Sequence, residues 1–294
     1  TTSPGTTESA MGESMSITVE KRTGALGARL HGIDFGAMGD TVKPDVADAI
    51  ADALYEHSVV AIDASAMTDA QHLELARHFG EPERHQFFPN MGPGLEEVTV
   101  LDSERDQANM WHCDEPFLTH PPIVTMTHAL QLPSFGGDTA FISLHAAYAA
   151  LSDRMKTYVD GLETVQDLAM IAEHSWRGGN GSAEKLAAML QLGRTAIHPL
   201  VLVHPRNGRK AIWVNDTYTR FILGVPSHEA RAVLAMLLAH LQKPEFQYRH
   251  TWRTGDLMIW DNRAVLHYAS TDYDERRIMH RVSVLAAVDG SDGF

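Results

Sequence analysis

Apolar residues alternate from Ile17 through Val19, and Ala28, Leu30 and Ile33 follow after Gly24 and Gly27, which predicts two short strands joined by a turn. Behind Pro44 the rhythm becomes helical. Val46, Ile50 and Leu54 recur at four-residue spacing, and proline is tolerated in a first helical turn because its missing N–H has no partner there anyway. Residues 59–62 predict the next strand. Thr68 and Gln71 have the spacing of a capping box, opening a helix that runs through Leu73, Leu75 and Ala76 to a stop at Gly80. Strands are predicted around Val98 and Val100 and over 123–132 and 138–142. Ser143 and Ser152 then read as N-caps of helices covering 147–151 and 155–162. Asn207-Gly208 is a hairpin signal between 200–204 and 211–214. Ser227 caps a long helix whose apolar side carries Val233, Leu234, Leu237, Leu238 and Leu241, and strands resume at 246–252, 257–260 and 278–288.

Many short strands joined by turns rather than alternating with helices predict a mostly β chain with flanking helices, an antiparallel sandwich or barrel. Residues 1–15, small and polar, read as a flexible N-terminal tail, and residues 16–294 as a single domain. Within it, 167–193 is less regular and Gly-rich at its centre, so it reads as a lid or insertion over a binding site, with a disordered linker as the plainer alternative.

Composition narrows the function. An apolar content of 44% in 294 residues suits a globular chain with a large core. A formal charge of −14, with no Lys/Arg cluster interleaved with aromatics, argues against a nucleic-acid binder. The one cysteine, Cys113, excludes an internal disulfide and a Cys-rich zinc site, and fits a reducing, cytoplasmic setting. No apolar run approaches the roughly 18 residues of a membrane span, and no signal peptide is legible at the start.

The candidate chemistry lies in Trp111-His112-Cys113-Asp114. In an extended segment, His112 and Asp114 emerge on one face and can share a metal ion, while Cys113 points the other way. With 17 histidines in the chain, a bare His-x-Asp is expected about once by chance, so the tripeptide needs support. His267, far along the chain in Trp260-Asp261-Asn262-Arg263-Ala264-Val265-Leu266-His267, is the candidate third ligand. Two imidazoles and one carboxylate leave three open positions on a non-haem Fe(II). A zinc hydrolase can use the same three donors around a water, and a catalytically silent metal-binding sensor is a third possibility. His72 and Glu74 form a rival pair, but on a helix they diverge by about 200°, and a solvated helix face is the reading preferred for them.

From about Gly24 to Val288 the chain resembles the TauD/TfdA family of Fe(II)/2-oxoglutarate-dependent dioxygenases. The resemblance rests on Trp111-His112-Cys113-Asp114, Gly136-Gly137-Asp138-Thr139, His198-Pro199, His204-Pro205, Gly208-Arg209-Lys210, Trp260-Asp261-Asn262-Arg263 and Arg276-Arg277-Ile278-Met279-His280-Arg281. It implies a double-stranded β-helix (jelly-roll) core and iron held by His112, Asp114 and His267. The far carboxylate of the co-substrate 2-oxoglutarate then meets Arg277 and Thr139, a planar fork and a hydroxyl donor. Without the resemblance, Arg277 reads as a surface arginine beside Asp272, Asp274 and Glu275. The implied reaction consumes O2 and 2-oxoglutarate, releases succinate and CO2, and hydroxylates a substrate C–H bond. By the same resemblance the prime substrate is a small anionic molecule, such as a sulfonate, sulfate ester, aryloxyalkanoate or modified amino acid, with its anion held by His85 and Arg281. Phe88 and Ala108 stand where taurine enzymes contact the amino group with a Tyr and an Asn, which disfavours taurine itself and, with Phe87, suggests an apolar or larger group beyond the anion. In an extended segment Arg277 and Arg281 share a face roughly 13 Å apart, one arginine for each small molecule. Family members also imply a homo-oligomer, a dimer or tetramer.

Overall fold

The computed structural model describes residues 17–39, 41–85, 88–104, 109–177, 183–288 and 291. Strands β1 (Thr18–Lys21) and β2 (Ala28–His31) form an antiparallel hairpin ahead of helix α1 (Pro44–His57), strand β3 (Val59–Asp63) and helix α2 (Asp69–Phe79). Strands β4 (Thr99–Asp102), β5 (Pro122–Gln131) and β6 (Thr139–Ser143) lead into helices α3 (Leu144–Ala149) and α4 (Asp153–Val159). Strand β7 (Glu163–Asp167), helices α5 (Ala169–Arg177) and α6 (Ala183–Leu192), and strands β8 (Thr195–Pro199), β9 (Val201–Val203), β10 (Lys210–Ile212) and β11 (Thr219–Ile222) follow. The long helix α7 (Ser227–Leu241) precedes β12 (Gln247–His250), β13 (Asp256–Asp261), β14 (Val265–Ala269) and β15 (Ile278–Leu285).

A seven-stranded sheet in the order β1-β2-β3-β13-β5-β15-β4 packs against a three-stranded sheet, β12-β6-β14, as a jelly roll. Period-two alternation creates the layers. Val59, Ala61, Met258, Trp260 and Met279 turn inward to meet Phe141, Tyr248 and Val265 of the smaller sheet. Their neighbours Val60, Ile62, Leu257 and Ile259 turn outward onto Val46, Ile50 and Leu54 of α1. On the far side, Ile142 and Leu266 pack with Leu144, Leu237 and Leu241 of α3 and α7. Each large apolar side chain buried this way stabilises the fold by about 1.5–3 kcal/mol relative to exposure. Among the described residues no helix is long and apolar enough to cross a membrane.

The local signals hold at several ends. Thr68 and Gln71 close a reciprocal capping box, and the hydroxyls of Ser143 and Ser152 accept from the N–H groups of Ala146 and Met155 at 3.2 and 3.3 Å. Ser227 departs from expectation. Pro226 occupies the N-cap of α7, and Ser227 is the first helical residue, without a side-chain cap. The tract 167–193 also differs, because its described residues form the two helices α5 and α6 rather than irregular coil. The tail at 1–15, Phe87, Ala108 and the Gly-rich centre at 178–182 lie outside the described residues.

His72 corrects the reading of a solvated face. It is fully buried, because the N-terminal half of α2 lies flat on β15 and also buries Gln71, Leu73, Leu75 and Ala76. Its ring meets that of His128 edge-on at 6.2 Å. Burial first, and neighbouring His128 second, lower the His72 pKa to about 3. The unfolded chain therefore binds a proton at about pH 6.5 that the folded chain refuses. The stability tied to His72 is present above that pH and is lost as pH falls toward 3. Thermal midpoints measured from about pH 7 to pH 4 should fall less steeply in His72→Leu than in the parent chain.

Candidate active site

His112 and His267 are joined through their backbones before their side chains meet. The His112 N–H donates to the His267 carbonyl at 3.1 Å and the His267 N–H returns to the His112 carbonyl at 2.8 Å, bridging the segment after β4 to β14. The two rings lie 4.1 Å apart. Asp114 completes the cluster, with Oδ1 3.9 Å from His112 Nε2 and 3.7 Å from His267 Nε2. One ligand atom from each of the three lies within 4.8 Å of the others. Cys113 faces the opposite way into the α3–α7 core, where Asn215 Nδ2 donates to its sulfur at 3.5 Å.

The protonation pattern suits a cation. His112 Nδ1 lies 2.7 Å from the Met110 carbonyl, so it carries the ring proton and leaves the Nε2 lone pair facing Asp114. Burial first, and His112 second, lower the His267 pKa to about 3, which keeps this imidazole neutral. Burial alone would raise the Asp114 pKa. The neighbouring His267, Arg281 and His112, with a 2.8 Å hydrogen bond from Thr125 Oγ1, hold it at about 2. Two imidazoles and a carboxylate therefore converge, the donor set a divalent metal needs.

Asn262 fixes the carboxylate's backbone. Its Oδ1 accepts from the Asp114 N–H at 2.7 Å, while its Nδ2 donates to the Asp114 and Pro122 carbonyls. Beside it, buried Asp261 accepts from His204 Nε2 at 2.8 Å and from Arg263 Nε and Nη2 at 3.0 and 2.8 Å. The Trp-Asp-Asn-Arg motif is thus a brace under the three-residue cluster. His204, Thr125 and Asn262 received no role from the sequence, because their partners lie far away along the chain.

The cluster opens into a cavity of about 550 Å³, within the usual range for small-molecule sites. Arg277 and Arg281 both line it, as do Thr139, His85 and Phe88. Arg277 is partly buried, its Nε is buried without a hydrogen-bond partner, and among the described residues no carboxylate forms an ion pair with it. Of the acidic neighbours expected to pair with it, Asp272 accepts from the Gly137 N–H and pairs with Arg249, and Glu275 accepts from the Ser134 N–H. Trp252, which belongs to no motif singled out above, backs this corner. Its indole N–H donates to Thr139 Oγ1 at 3.0 Å and its ring lies under the Arg277 guanidinium at 5.6 Å. The Thr139 hydroxyl proton is left to donate into the cavity. Gly136 and Gly137, both at positive φ, let this loop close on Asp272, since a Cβ at Gly136 would fall within 2.5 Å of the Asp272 carbonyl oxygen.

At the other end, Arg281 Nη1 lies 3.6 Å from Asp114 Oδ1, and its buried Nε has no hydrogen-bond partner. Its guanidinium sits 5.4 Å over the Phe88 ring, which packs 4.7 Å from the His85 ring. Burial first, and Arg281 second, lower the His85 pKa to about 4. Leu168, Ile171 and Ala172 around α5, with Ala188, Met189 and Leu192 of α6, wall the cavity with apolar side chains.

A profile of the family described as "Taurine catabolism dioxygenase TauD, TfdA family" matches residues 18–283. The alkylsulfatase of Acinetobacter baylyi (strain ATCC 33305 / BD413 / ADP1) is 29% identical over 285 residues, covering 92% of this chain and 86% of that protein. The alpha-ketoglutarate-dependent sulfate ester dioxygenase of Pseudomonas putida is also 29% identical, covering 95% and 93%. The crystal structure of a taurine dioxygenase from Burkholderia xenovorans superposes with a TM-score of 0.77 at 29% identity, covering 93% of this chain and 92% of that one.

Proposed function

The chain belongs to the TauD/TfdA family of 2-oxoglutarate-dependent dioxygenases, and from that premise we propose that His112, Asp114 and His267 hold Fe(II), Arg277 and Thr139 hold 2-oxoglutarate, and Arg281 with His85 holds an anionic prime substrate. The overall reaction converts 2-oxoglutarate, O2 and a substrate C–H into succinate, CO2 and an alcohol, one oxygen atom going to succinate and the other to the product. Bound Fe(II) supplies the activation of O2. The residues supply placement. Arg277 offers a planar fork to the distal carboxylate and Thr139 a hydroxyl donor beside it. Arg281 and His85 orient the substrate through its anion, and the apolar wall of α5 and α6, acting as a lid, excludes water from the reacting carbon.

The observation that carries this reading is Arg277, a cavity-lining arginine whose buried Nε has no hydrogen-bond partner and which has no carboxylate partner among the described residues, in a chain of net charge −14. The prime substrate belongs to the sulfate esters, sulfonates, aryloxyalkanoates or modified amino acids, with sulfate esters favoured by the named relatives. Hydroxylation at a carbon bearing sulfate gives a product that collapses to an aldehyde and sulfate. In the cell the enzyme works in the cytoplasm as a homo-oligomer, a dimer or tetramer.

Fe(II)- and O2-dependent succinate formation, assayed with sulfates, sulfonates and carboxylates beside neutral alcohol and amide analogues, tests the reading. The anions should stimulate turnover and the neutral analogues should not. In the same preparation, Arg277→Ala should weaken anaerobic 2-oxoglutarate binding by about 1.5–3 kcal/mol, roughly tenfold to over a hundredfold. Unchanged affinity would return Arg277 to a structural role.

A further inference from the structure

The inward row of strand β5 holds a hydroxyl that the protein leaves unpaired. Val124 and Met126 turn outward with the α1 layer, so Thr125, Thr127 and Ala129 turn inward. Thr127 is 4% exposed and lines the cavity, and its Oγ1 is, among the described residues, the one buried hydroxyl oxygen without a hydrogen-bond partner. Other buried threonines are satisfied. Thr125 donates to Asp114, Thr164 to the His198 carbonyl, Thr217 to the Trp111 carbonyl and Thr219 to Gln166. A buried polar group that breaks this habit calls for a partner from outside the chain.

Valine would fill the same space without penalty. A buried hydroxyl loses the hydrogen bonds that water gave it in the unfolded chain, and here the fold returns none. The neighbours across the sheet say what kind of partner fits. On β13 the residue opposite Thr127 is Met258, and the next inward residue along β5 is Ala129, both buried and apolar. On β15 the residue opposite is Arg281. Directly opposed residues of antiparallel strands have Cβ atoms about 4.5–5.5 Å apart. Arg281 also lines the cavity, and its buried Nε lacks a partner too. Two donors on adjacent strands, an O–H and an N–H, are thus unpaired side by side. Such a pair suits an oxyanion, whose oxygens only accept. Arg277, assigned to the distal carboxylate of 2-oxoglutarate, lies four residues from Arg281, beyond the irregularity between Ile278 and Met279.

We propose that Thr127 is a binding residue for the prime substrate, its hydroxyl donating to an oxygen of the anion that Arg281 holds. The inference rests on the anion assignment to Arg281 made above and adds a donor from the sheet itself. A long arginine alone lets a bound anion swivel. A second donor on a short, β-branched side chain with few rotamers fixes the anion's rotation, and with it which carbon of the substrate faces the metal position.

The test titrates the anaerobic enzyme, loaded with Fe(II) and 2-oxoglutarate, with pentyl sulfate, pentane-1-sulfonate and hexanoate, following the rise in thermal midpoint, beside succinate formation in air with the same anions. For the anion the parent enzyme binds best, Thr127→Val should raise the half-saturating concentration and KM by about tenfold and leave kcat within about twofold. Thr127→Ser, which keeps the hydroxyl, should stay near the parent. Without ligand, Thr127→Val should melt at or above the parent temperature, because it removes an unsatisfied group. Should Thr127→Val fail to fold, Thr127→Ala takes its place with the same expected loss of affinity. Parent-like affinity in the variant, or a loss that Thr127→Ser shares, overturns the role of the hydroxyl while leaving the anion assignment to Arg281 standing. Weaker 2-oxoglutarate binding with unchanged affinity for the anions overturns it as well and gives the hydroxyl to the co-substrate. If none of the anions binds the parent enzyme, the assignment to Arg281 fails, and the present inference falls with it.

Discussion

Asp114→Ala is expected to eliminate Fe(II)-dependent succinate formation and to leave purified protein without stoichiometric iron. The substitution removes a ligand atom and the only negative charge in the three-residue cluster, leaving two imidazoles and the Arg281 guanidinium around one point. Metal content by elemental analysis and turnover at saturating 2-oxoglutarate are the two readouts. Wild-type values for both would remove Asp114 from the iron site. Thr125 and Asn262, which touch Asp114 but not the metal position, should matter less, since partners of ligands typically alter metal affinity about 10- to 100-fold.

Asp261→Ala should destabilise the fold without removing any metal ligand. It leaves Arg263 fully buried with its main carboxylate partner gone and strips His204 of its acceptor, and such a loss typically costs about 3–5 kcal/mol. The thermal midpoint should fall by about 10 °C. Although burial opposes ionisation, Arg263 and His204 hold the Asp261 carboxyl well below the usual range. Its contribution is therefore complete above the unfolded-state value of about 3.9 and vanishes as pH falls through the lower folded-state value. Replacing Asp261 and Arg263 together by leucines should cost less than Asp261→Ala alone, because no uncompensated charge stays behind. A double variant no more stable than the single one would assign the loss to packing instead.

What the chain reveals by itself follows the range of the interactions. Capping boxes, the proline at the start of α1 and the Asn-Gly hairpin act within a few residues, and each was legible. Strands β7, β8, β11 and β14 were not anticipated, because they are short and partly polar and owe their form to partners across the sheet. His72 was misread for the same reason. Helical geometry gives the angle between His72 and Glu74, but which side of α2 meets β15 depends on residues more than two hundred positions away. At the site, the His-x-Asp spacing proposes two donors, the need for a third points to His267, and the resemblance adds Thr139 and Arg277. Trp252 and Thr125 carry no motif, and only the folded arrangement brings them to the cavity or its immediate backing.

The order of the large sheet bears on how the chain is made. Strands β13 and β15 lie between β3, β5 and β4, so on their inner edges three strands made early find hydrogen-bonding neighbours only in strands made late. A ribosome emits chain at about 5–20 residues per second, and the inner edges of β3, β5 and β4 stay unpaired until first β13 and then β15 clear it. The nascent polypeptide therefore waits with open strand edges. Because His267 lies between those two late strands, the His112, Asp114 and His267 cluster is complete only on a nearly finished molecule.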